Sequence, residues 1–403
     1  MIQTAPPTTS EPACAPLPRV LIVGAGPAGV CASMRLVDRG CDVTLVDRAT
    51  FPREKICGCC LNLAALDALG TIACDHLVTM IVPEPLTHWQ LQAGGRTVRA
   101  TLPGGVAISR YAMDAALINE SKRRGVAFRD ACVVRVLDVD CDGTMVGLRD
   151  HDAAETQCRY DVVIFATGLS GGGVSKWLPY QQAPMGPIGV GFHLSAGEYS
   201  KTQVRPHTIH MVCGHNGYVG LVRLEDDSID VAAAIYPGPQ AAGGFPGGSR
   251  RDSIAQQLDA ILNIAGLHSV AMANVDQLRM TPPLTRRRVV GCDSLLAIGD
   301  AAGYVQPFTG EGMAWAMESG IAVADCIVGH ASQTARTEQL SRAGQTLAER
   351  WIAKHAAMSR DRQWVCKLIS RGLASRPVRW AMVPSIRVAP WIASWTIGRL
   401  NRV

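Results

Sequence analysis

Residues 19–29 read Arg-Val-Leu-Ile-Val-Gly-Ala-Gly-Pro-Ala-Gly, and residues 43–47 read Val-Thr-Leu-Val-Asp. The first apolar, β-branched run ends at a glycine, which is typical of a buried parallel strand. Residues 29–38 have helical composition, and the second β-branched run ends at an acid. The pattern predicts one complete βαβ unit within the first fifty residues.

The three glycines of this unit have the spacing of a dinucleotide-binding turn. Gly24 allows the tight turn, Gly26 lets the backbone approach a pyrophosphate, and Gly29 lets the helix pack closely on the strand. An anion is favoured at the helix N-terminus, beside Ala28. Asp47 lies where a carboxylate accepts hydrogen bonds from ribose hydroxyls. We therefore predict a dinucleotide cofactor bound by these five residues.

Composition favours a large folded protein of two domains. The chain has 403 residues, of which 48% are hydrophobic and 18% charged, enough for a sizeable core. No run reaches the ~20 apolar residues of a spanning helix. Residues 1–17 lack the basic start and apolar run of a signal peptide, so we expect a flexible lead-in.

The 14 cysteines are scattered among apparent strands and helices, where cysteine behaves as a small apolar residue. A chain that can build a core does not need a disulfide framework, so we expect a reducing, cytoplasmic location.

The net charge of +5 is concentrated in the C-terminal segment, where residues 360–403 carry nine Lys or Arg and one acid, Asp361. The rest of the chain is not basic, so nucleic-acid binding is not expected. Tryptophans and arginines between 364 and 395 suit an anionic membrane surface, a greasy substrate channel, a partner interface or a domain-capping set of helices. Peripheral membrane contact is therefore one expectation for this segment.

Further strands follow along the chain. Residues 161–165 and 294–298 resemble additional strands of the first sheet, whereas residues 188–235 alternate short β-like runs with turns. We predict an α/β fold in which a Rossmann-like domain carries an inserted antiparallel-sheet substrate domain and C-terminal helices. The predicted division assigns 18–85, 100–175 and 285–335 to the dinucleotide-binding domain, 86–99 and 176–284 to the substrate domain, and 336–403 to a basic helical segment.

A second glycine-rich stretch identifies the cofactor by resemblance. Residues 299–316, Gly-Asp-Ala-Ala-Gly-Tyr-Val-Gln-Pro-Phe-Thr-Gly-Glu-Gly-Met-Ala-Trp-Ala, resemble the second FAD motif of the p-hydroxybenzoate hydroxylase-like flavoproteins. The resemblance implies FAD, with Asp300 near its ribityl and pyrophosphate groups. It also implies a helix N-terminus facing the flavin, where it would stabilise negative charge. The implied contacts in this stretch are Gly299, Asp300, Pro307, Gly310, Gly312 and Met313.

Two more stretches extend the resemblance. Arg110 to Asp114 is similar to the family's Arg-x-x-x-Asp helix, which implies that Arg110 contacts the flavin. Residues 51–58, Phe-Pro-Arg-Glu-Lys-Ile-Cys-Gly, resemble a loop of geranylgeranyl reductase-like flavoproteins and of some flavin monooxygenases that lies beside the flavin. The predicted FAD contacts outside the motif after residue 299 and the glycine turn are Arg48, Arg53, Lys55, Cys57, Arg110, Val133, Thr167 and Gly168.

The chain also departs from its relatives. Thr167-Gly168 replaces the Asp-Gly associated with nicotinamide binding in aromatic hydroxylases, which leaves NAD(P)H only as a potential reductant. A halogenase Trp-x-Trp-x-Ile-Pro segment is missing from the sequence, which disfavours halogenation. Gly217-Tyr218 keeps only two residues of the Gly-Tyr-x-Trp segment of geranylgeranyl reductases, which weakens, without excluding, the hypothesis of a strict prenyl-chain reductase.

The catalytic residues are predicted to be Cys57, His193 and Tyr218. The segment Cys57-Gly-Cys-Cys60 has three interpretations: metal ligands, a redox dithiol, or one thiol touching flavin or substrate while the others pack. The third is favoured, and no metal site is expected because no second pair of ligands follows. His88, His193, His210 and His215 are all acid–base candidates, although hydrogen-bonded sheet histidines are the commoner case.

The first functional hypothesis is an FAD-dependent monooxygenase that uses O2 and a flavin peroxide on an apolar aromatic or polyketide-like substrate. The alternative is a flavin-dependent reductase of prenyl or other C=C bonds. A flavin-bound electron carrier or sensor at a membrane is a third hypothesis. The sequence leaves the oligomeric state open.

Overall fold

A computed structural model describes residues 17–151, 153–170, 173–182, 186–197, 203–236, 249–284, 286–304, 311–337 and 345–374. Residues 1–16 of the predicted lead-in, Pro307 and Gly310 of the second FAD motif, and residues 375–403 of the basic segment lie outside these ranges.

Strands in the described ranges are numbered in chain order. They are β1 (Arg19–Val23), β2 (Asp42–Val46), β3 (Cys60–Leu61), β4 (Glu84–Pro85), β5 (His88–Ala93), β6 (Arg96–Thr101), β7 (Val106–Ala107), β8 (Ala127–Arg129), β9 (Cys132–Asp140), β10 (Gly143–Asp150), β11 (Thr156–Tyr160), β12 (Val162–Phe165), β13 (Tyr180–Gln182), β14 (Ile188–Leu194), β15 (Thr208–Cys213), β16 (Gly217–Arg223), β17 (Ile229–Ile235), β18 (Arg279–Pro283), β19 (Arg286–Arg288), β20 (Gly291–Cys292), β21 (Leu295–Ala297) and β22 (Gly303–Tyr304).

The α-helices are α1 (Pro27–Val37), α2 (Leu63–Thr71), α3 (Asp75–Ile81), α4 (Arg110–Arg123), α5 (Arg250–Leu262), α6 (Val270–Ala273), α7 (Gly312–Thr337) and α8 (Leu347–Ala374). Short 3-10 turns at Gly168–Ser170 and Gly299–Ala301 follow two strands of the first sheet. No helix in the described ranges is both long and apolar enough to cross a membrane.

The predicted βαβ unit forms the centre of a six-stranded sheet with the order β20-β21-β12-β1-β2-β8. β1 pairs in parallel with β2 and with β12, and β12 pairs in parallel with β21. Both later strands predicted for this sheet are therefore confirmed. Every residue of β12 and β21 is buried, as expected of parallel strands covered on both faces.

A seven-stranded sheet with the order β18-β14-β17-β16-β15-β5-β6 contains the inserted β-rich region. It differs from the predicted antiparallel sheet in one pairing, because β5 runs parallel to β15. More than a hundred residues separate these two strands, so no hairpin turn imposes an antiparallel direction. The α/β fold class with C-terminal helices is confirmed, whereas the proposed domain boundaries stay a prediction.

The two faces of the seven-stranded sheet have different roles. Alternate residues such as Val190, Val219 and Val231 pack against α5 through Leu258. The intervening residues of the same strands lie on the opposite face, because side chains alternate along a strand. There Val222 packs with Cys59 and Cys60, so this face contacts the cysteine loop, residues 57–60, which follows β2.

The core beneath the six-stranded sheet depends on close packing of α1 against α7. A Cβ built on Gly320 would lie 2.2 Å from the Ala28 carbonyl oxygen, and one on Gly299 would lie 3.0 Å from the Ala28 Cβ. The Ser319 hydroxyl also accepts a hydrogen bond of 2.9 Å from the Gly299 N–H. These contacts hold the 3-10 turn at residues 299–301 against the first turn of α1.

Candidate active site

The glycine turn after β1 leaves space for an anion at the start of α1. Gly24 has a φ of 111°, which favours glycine. A Cβ on Gly29 would lie 1.9 Å from the Gly24 oxygen, so the turn tolerates no side chain there. Above Gly26, by contrast, the nearest atom to a built Cβ is Nη2 of Arg110, at 3.8 Å. The first turn of α1 has no side-chain cap, which leaves its N–H groups for a bound phosphate.

Asp47 closes the turn from the end of β2. Its Oδ2 accepts a 2.8 Å hydrogen bond from the Ala25 N–H, and its Oδ1 accepts one of 2.9 Å from the Ala49 N–H. The side chain is mostly buried, and each carboxylate oxygen retains a lone pair for a further donor. The carboxylate therefore fixes the turn and remains placed for the predicted ribose contact.

Two arginines and one acid form a buried network beside this turn. Arg110 donates two hydrogen bonds to Asp114, of 2.8 Å and 2.7 Å. Arg53 lies 3.6 Å from both Asp47 and Asp114. Arg110 is 4% exposed and Asp114 is 1% exposed, so the bidentate pair is held rigidly in a region of low dielectric. The network holds Arg110 over the space above Gly26.

Lys55, Gly168 and Asp300 converge from three parts of the chain. The Lys55 Nζ lies 3.1 Å from the position of a Cβ on Gly168. Burial and the charge of Arg110 lower the pKa of Lys55, although the carboxylate of Asp300 opposes the shift. Burial raises the pKa of Asp300, whereas the charges of Lys55 and Arg110 act against that rise. A polar cofactor atom here would meet an ammonium, a carboxyl group and an exposed backbone turn together.

The cysteine loop has an asymmetric pair of thiols. A hydrogen bond from Cys59 and the charge of Arg110 lower the pKa of Cys57 to about 6, against the opposing effect of burial. The same hydrogen bond and burial raise the pKa of Cys59. Cys59 has a φ of 50°, an uncommon conformation for a side chain with a Cβ and one that is enriched at functional sites. Cys57 is therefore mostly thiolate at neutral pH, and Cys59 stays protonated beside it.

His193 extends this pair into a longer polar cluster. Its Nε2 lies 2.9 Å from Oδ1 of Asp230, and its Nδ1 lies 3.3 Å from a Glu54 carboxylate oxygen. The hydrogen bond with Asp230 raises the pKa of His193, and burial raises the pKa of Asp230. Donor atoms of Cys59, His193 and Asp230 all lie within 4.8 Å of one another. These three are also residue types that bind zinc, so the expected absence of a metal stays a prediction.

The remaining predicted site residues have varied positions. Tyr218 lies on β16 among Trp89, Met211 and Cys213, about 13 Å along the strand from Val222 at 3.3 Å per residue. It is therefore not part of the Cys57–His193 cluster. Among the others, Ala28 and Met313 are buried in the first turns of α1 and α7, Gly312 begins α7, Thr167 follows β12, and Arg48 and Val133 are exposed.

His210 is a hydrogen-bonded histidine of the sheet interior. Its Nε2 accepts a 3.0 Å hydrogen bond from the Arg205 N–H, and its Nδ1 lies 3.3 Å from the Gln90 amide. Burial lowers its pKa to about 4. His210 is thus neutral across the physiological range and does not join the cluster around His193.

Sequence reasoning missed four residues of the site. Glu54, Cys59, Asp114 and Asp230 complete the two networks but were not predicted as site residues. Asp114 could have been found, because it follows Arg110 by four residues and shares its helix face. Asp230 gave no such signal, because its strand register alone brings it opposite His193.

A family of proteins described as having an FAD binding domain matches this chain over residues 18–354. The chain belongs to that family. It is therefore an FAD-binding protein, and the open turn above Gly26, the free N-terminus of α1 and the carboxylate of Asp47 fit the adenine dinucleotide part of FAD.

Two curated relatives are similar over part of the chain. Conditioned medium factor receptor 1 of Dictyostelium discoideum is 25% identical over 338 residues, which are 74% of this chain and 61% of the relative. Menaquinone reductase of Mycobacterium tuberculosis is 29% identical over 157 residues, or 36% of each protein. The matched region of this flavoprotein therefore spans less than two thirds of the length of each relative.

A solved structure supports the fold over nearly the whole flavoprotein. HpxO of Klebsiella pneumoniae, in complex with FAD and uric acid, matches with a TM-score of 0.70 and 14% identity, over 95% of this chain and 96% of the other. At that identity the likeness shows the fold and leaves the substrate open.

Proposed function

We propose that this flavoprotein reduces a C=C bond of an apolar substrate bound between the seven-stranded sheet and the cofactor turn. The observation that carries the proposal is the polar cluster of Cys59, Asp230 and His193 that adjoins Cys57. Reduced FAD, when bound, supplies a hydride to one carbon of the double bond. The other carbon needs a proton, which a buried site must supply from its own side chains.

The chain of acids suits proton delivery. Cys57 has a pKa of about 6, and a general acid is most effective when its pKa lies near the working pH. Because Cys57 is mostly thiolate at neutral pH, it must be reprotonated in each turnover. Cys59, which is hydrogen-bonded to Cys57, passes a proton on as it receives one from His193, whose pKa is raised and whose ring lies within 4.8 Å of the Cys59 sulfur. Asp230 and the half-buried His193 connect Cys59 towards Glu54. We assign Cys57 as proton donor and the other residues as its resupply.

The surroundings of Cys59 and Cys60 are apolar, which is compatible with an apolar substrate. Leu86, Ala107, Val222 and Leu224 pack around Cys59 and Cys60. A relative named menaquinone reductase acts, by its name, on an apolar quinone, and the loop at residues 51–58 resembles that of geranylgeranyl reductase-like flavoproteins. We therefore place the protein in the geranylgeranyl reductase-like branch as part of this proposal.

The second candidate remains oxygenation of an apolar aromatic or polyketide-like substrate. It is favoured by the small residues Gly220, Ala232 and Ala234 on the same sheet face as Tyr218 and Met211. A Cβ on Gly220 would meet its first neighbour, the Met211 sulfur, only at 3.4 Å. Small side chains leave room for a flat ring, and an apolar wall keeps water out.

Isotopes distinguish the two reactions. The holoenzyme is reduced with dithionite without oxygen, mixed with a polyprenyl quinone or a long-chain prenyl alcohol in deuterated water, and the product is analysed by mass spectrometry. Reduction predicts a gain of two hydrogens at carbon, both of them solvent deuteriums, because the N5–H of reduced flavin also exchanges with water. Incorporation of an atom from isotopically labelled O2, with no anaerobic turnover, would reject reduction in favour of oxygenation.

Cys57 provides the residue-level test of the same proposal. Cys57→Ser should lower the reduction rate by about 100-fold, the lower end of the range for losing a general acid, while FAD stays bound. Cys141→Ser, which changes an exposed cysteine outside the cluster, is the matched control. Equal rates in the two variants would show that Cys57 does not donate the proton.

A further inference from the structure

Strand β19 consists of three consecutive arginines whose side chains alternate between the interior and solvent. Arg286 is 4% exposed and Arg288 is 9% exposed, whereas Arg287 between them is exposed. β19 is the middle strand of a small sheet with the order β13-β19-β22. Two positive charges are therefore buried side by side on one face of this sheet.

An aromatic ring holds both guanidinium groups. The Cζ atoms of Arg286 and Arg288 lie 4.4 Å and 5.0 Å from the ring centre of Tyr180 on β13. The Nη1 of Arg288 also donates a 2.9 Å hydrogen bond to the Leu178 carbonyl oxygen. Burial and the neighbouring charge of Arg286 lower the pKa of Arg288. The two arginines thus repel each other and are nevertheless fixed in place.

Arg286 lacks a polar partner within the described ranges. Its Nε and Nη1 atoms are buried and donate to no hydrogen-bond acceptor there, and it forms no ion pair with a described carboxylate. Residues 171–172, 183–185, 285 and 305–310, which lie close in sequence to this sheet, contain no Asp or Glu. A buried guanidinium without a counter-charge is costly, and a cation–π contact offsets only part of that cost.

Arg286 and Arg288 lie next to the 3-10 turn at residues 299–301. Gly303 and Tyr304 of β22 pair with Arg287 and Arg286, and β22 follows the 3-10 turn that contains Asp300 within three residues. No ion pair joins Arg286 to Asp300 in the described ranges, and the charges of Lys55 and Arg110 lie near that carboxyl group. An anion at Arg286 would therefore be bound beside the cofactor site and separately from its acids.

We propose that Arg286 and Arg288 form a binding site for a phosphate group. Guanidinium N–H groups are strong charged donors to phosphate oxygens, and the Nε and Nη1 atoms of Arg286 are two such donors without an acceptor in the described ranges. The phosphate belongs either to the substrate or to a nicotinamide dinucleotide that reduces the flavin. The site does not depend on whether the enzyme reduces or oxygenates its substrate.

Titration calorimetry of the holoenzyme with inorganic pyrophosphate tests the site. Arg286→Gln should weaken binding by at least about tenfold, the loss expected when charged hydrogen bonds are removed, and Arg286→Lys should weaken it less. Arg287→Gln, which changes the exposed neighbour on the same strand, should bind as the unaltered protein does. Failure of the unaltered protein to bind pyrophosphate, or equal losses from Arg286→Gln and Arg287→Gln, would overturn the proposal.

The unfolding temperature and the FAD content distinguish phosphate binding by Arg286 from a structural ion pair and from a contact with FAD. Because Arg286 has no described counter-charge, Arg286→Met should unfold at the same or a higher temperature in phosphate-free buffer, whereas loss of a structural ion pair would lower that temperature. Pyrophosphate should raise the unfolding temperature of the unaltered protein and not that of Arg286→Met. Purification of a folded Arg286→Gln protein without FAD would assign the arginine to the cofactor and reject a separate site.

Competition experiments show whether the bound phosphate belongs to the reductant or to the substrate. If pyrophosphate displaces NADPH, and Arg286→Gln weakens NADPH binding by the same factor as pyrophosphate binding, the site takes the reductant. If NADPH is unaffected and Arg286→Gln instead raises the KM of a prenyl diphosphate relative to that of the free prenyl alcohol, it takes the substrate. The proposal is wrong if Arg286→Gln changes neither affinity.

Discussion

At the scale of single residues, Cys57 and Cys59 show how two identical side chains two positions apart acquire opposite properties. Cys57 receives the hydrogen bond and lies near the charge of Arg110, so its pKa falls to about 6. Cys59 donates that hydrogen bond and lies among Cys57, Cys60 and Asp230, so its pKa rises. The difference arises from the direction of one hydrogen bond and from the position of one arginine.

This asymmetry predicts selective alkylation of Cys57. In apoprotein treated with iodoacetamide, the rate at Cys57 should reach half of its plateau near pH 6, because only the thiolate reacts. Free cysteine in the same solution should require a pH near 8.5. Peptide mass spectrometry measures the rate at each site. A Cys57 profile that follows free cysteine would contradict the lowered pKa.

His193 predicts a pH-dependent contribution to stability. Its pKa is raised above 6.5 in the folded protein, and the groups around it are Asp230, Glu54 and Arg279. A group whose pKa is higher in the folded protein than in the unfolded protein stabilises the fold fully below its unfolded pKa. That stabilisation is lost as the pH rises through its folded pKa. His193→Gln should therefore lower the free energy of unfolding more below pH 6.5 than in alkaline buffer, as measured by urea unfolding. A larger loss of unfolding free energy in alkaline buffer would contradict the raised pKa of His193.

At the scale of elements, the contact between α1 and α7 joins the two FAD motifs. Gly320 lets α7 approach so closely that a Cβ would lie 2.2 Å from the Ala28 oxygen. The same approach holds the turn at residues 299–301 near the N-terminus of α1. The two motifs are far apart in sequence, and one glycine on a helix face sets the distance between them.

Gly320→Ala should therefore destabilise the protein and weaken FAD binding. The added methyl group forces α1 and α7 apart, and overpacking of this kind costs about 1–3 kcal/mol. Gly329→Ala is the matched control in the same helix, because a Cβ there meets nothing within 4 Å; it should be neutral or stabilising by up to about 1 kcal/mol. Urea unfolding and flavin fluorescence titration measure the two effects. Equal stability of the two variants would show that the helices adjust freely.

At the scale of the whole molecule, the FAD site draws on elements spread along the chain. The glycine turn, Asp47, Arg110 and Asp300 follow β1, β2, β7 and β21 respectively. Binding of FAD should therefore stabilise the global fold and not one segment alone.

Apoprotein should gain about 2.7 kcal/mol of unfolding free energy when free FAD reaches 100 times its Kd. Urea unfolding followed by circular dichroism at several FAD concentrations measures this gain. Hydrogen exchange should show added protection in both the six-stranded sheet and α7. Protection confined to residues 19–47 would indicate that the second motif does not contact the cofactor.

The sequence by itself determined the βαβ unit, the glycine turn and Asp47, because each depends on residues within thirty positions of one another and on backbone rules that act locally. It also predicted Arg110, Lys55 and Cys57 as cofactor contacts, since their motifs are short and continuous. Only the tertiary structure placed Asp230 and His193 beside Cys59, set β5 parallel to β15, and left Arg286 buried without a described counter-charge. These features depend on strand register and on which distant segments share a sheet, and they arise from the packing of the whole chain.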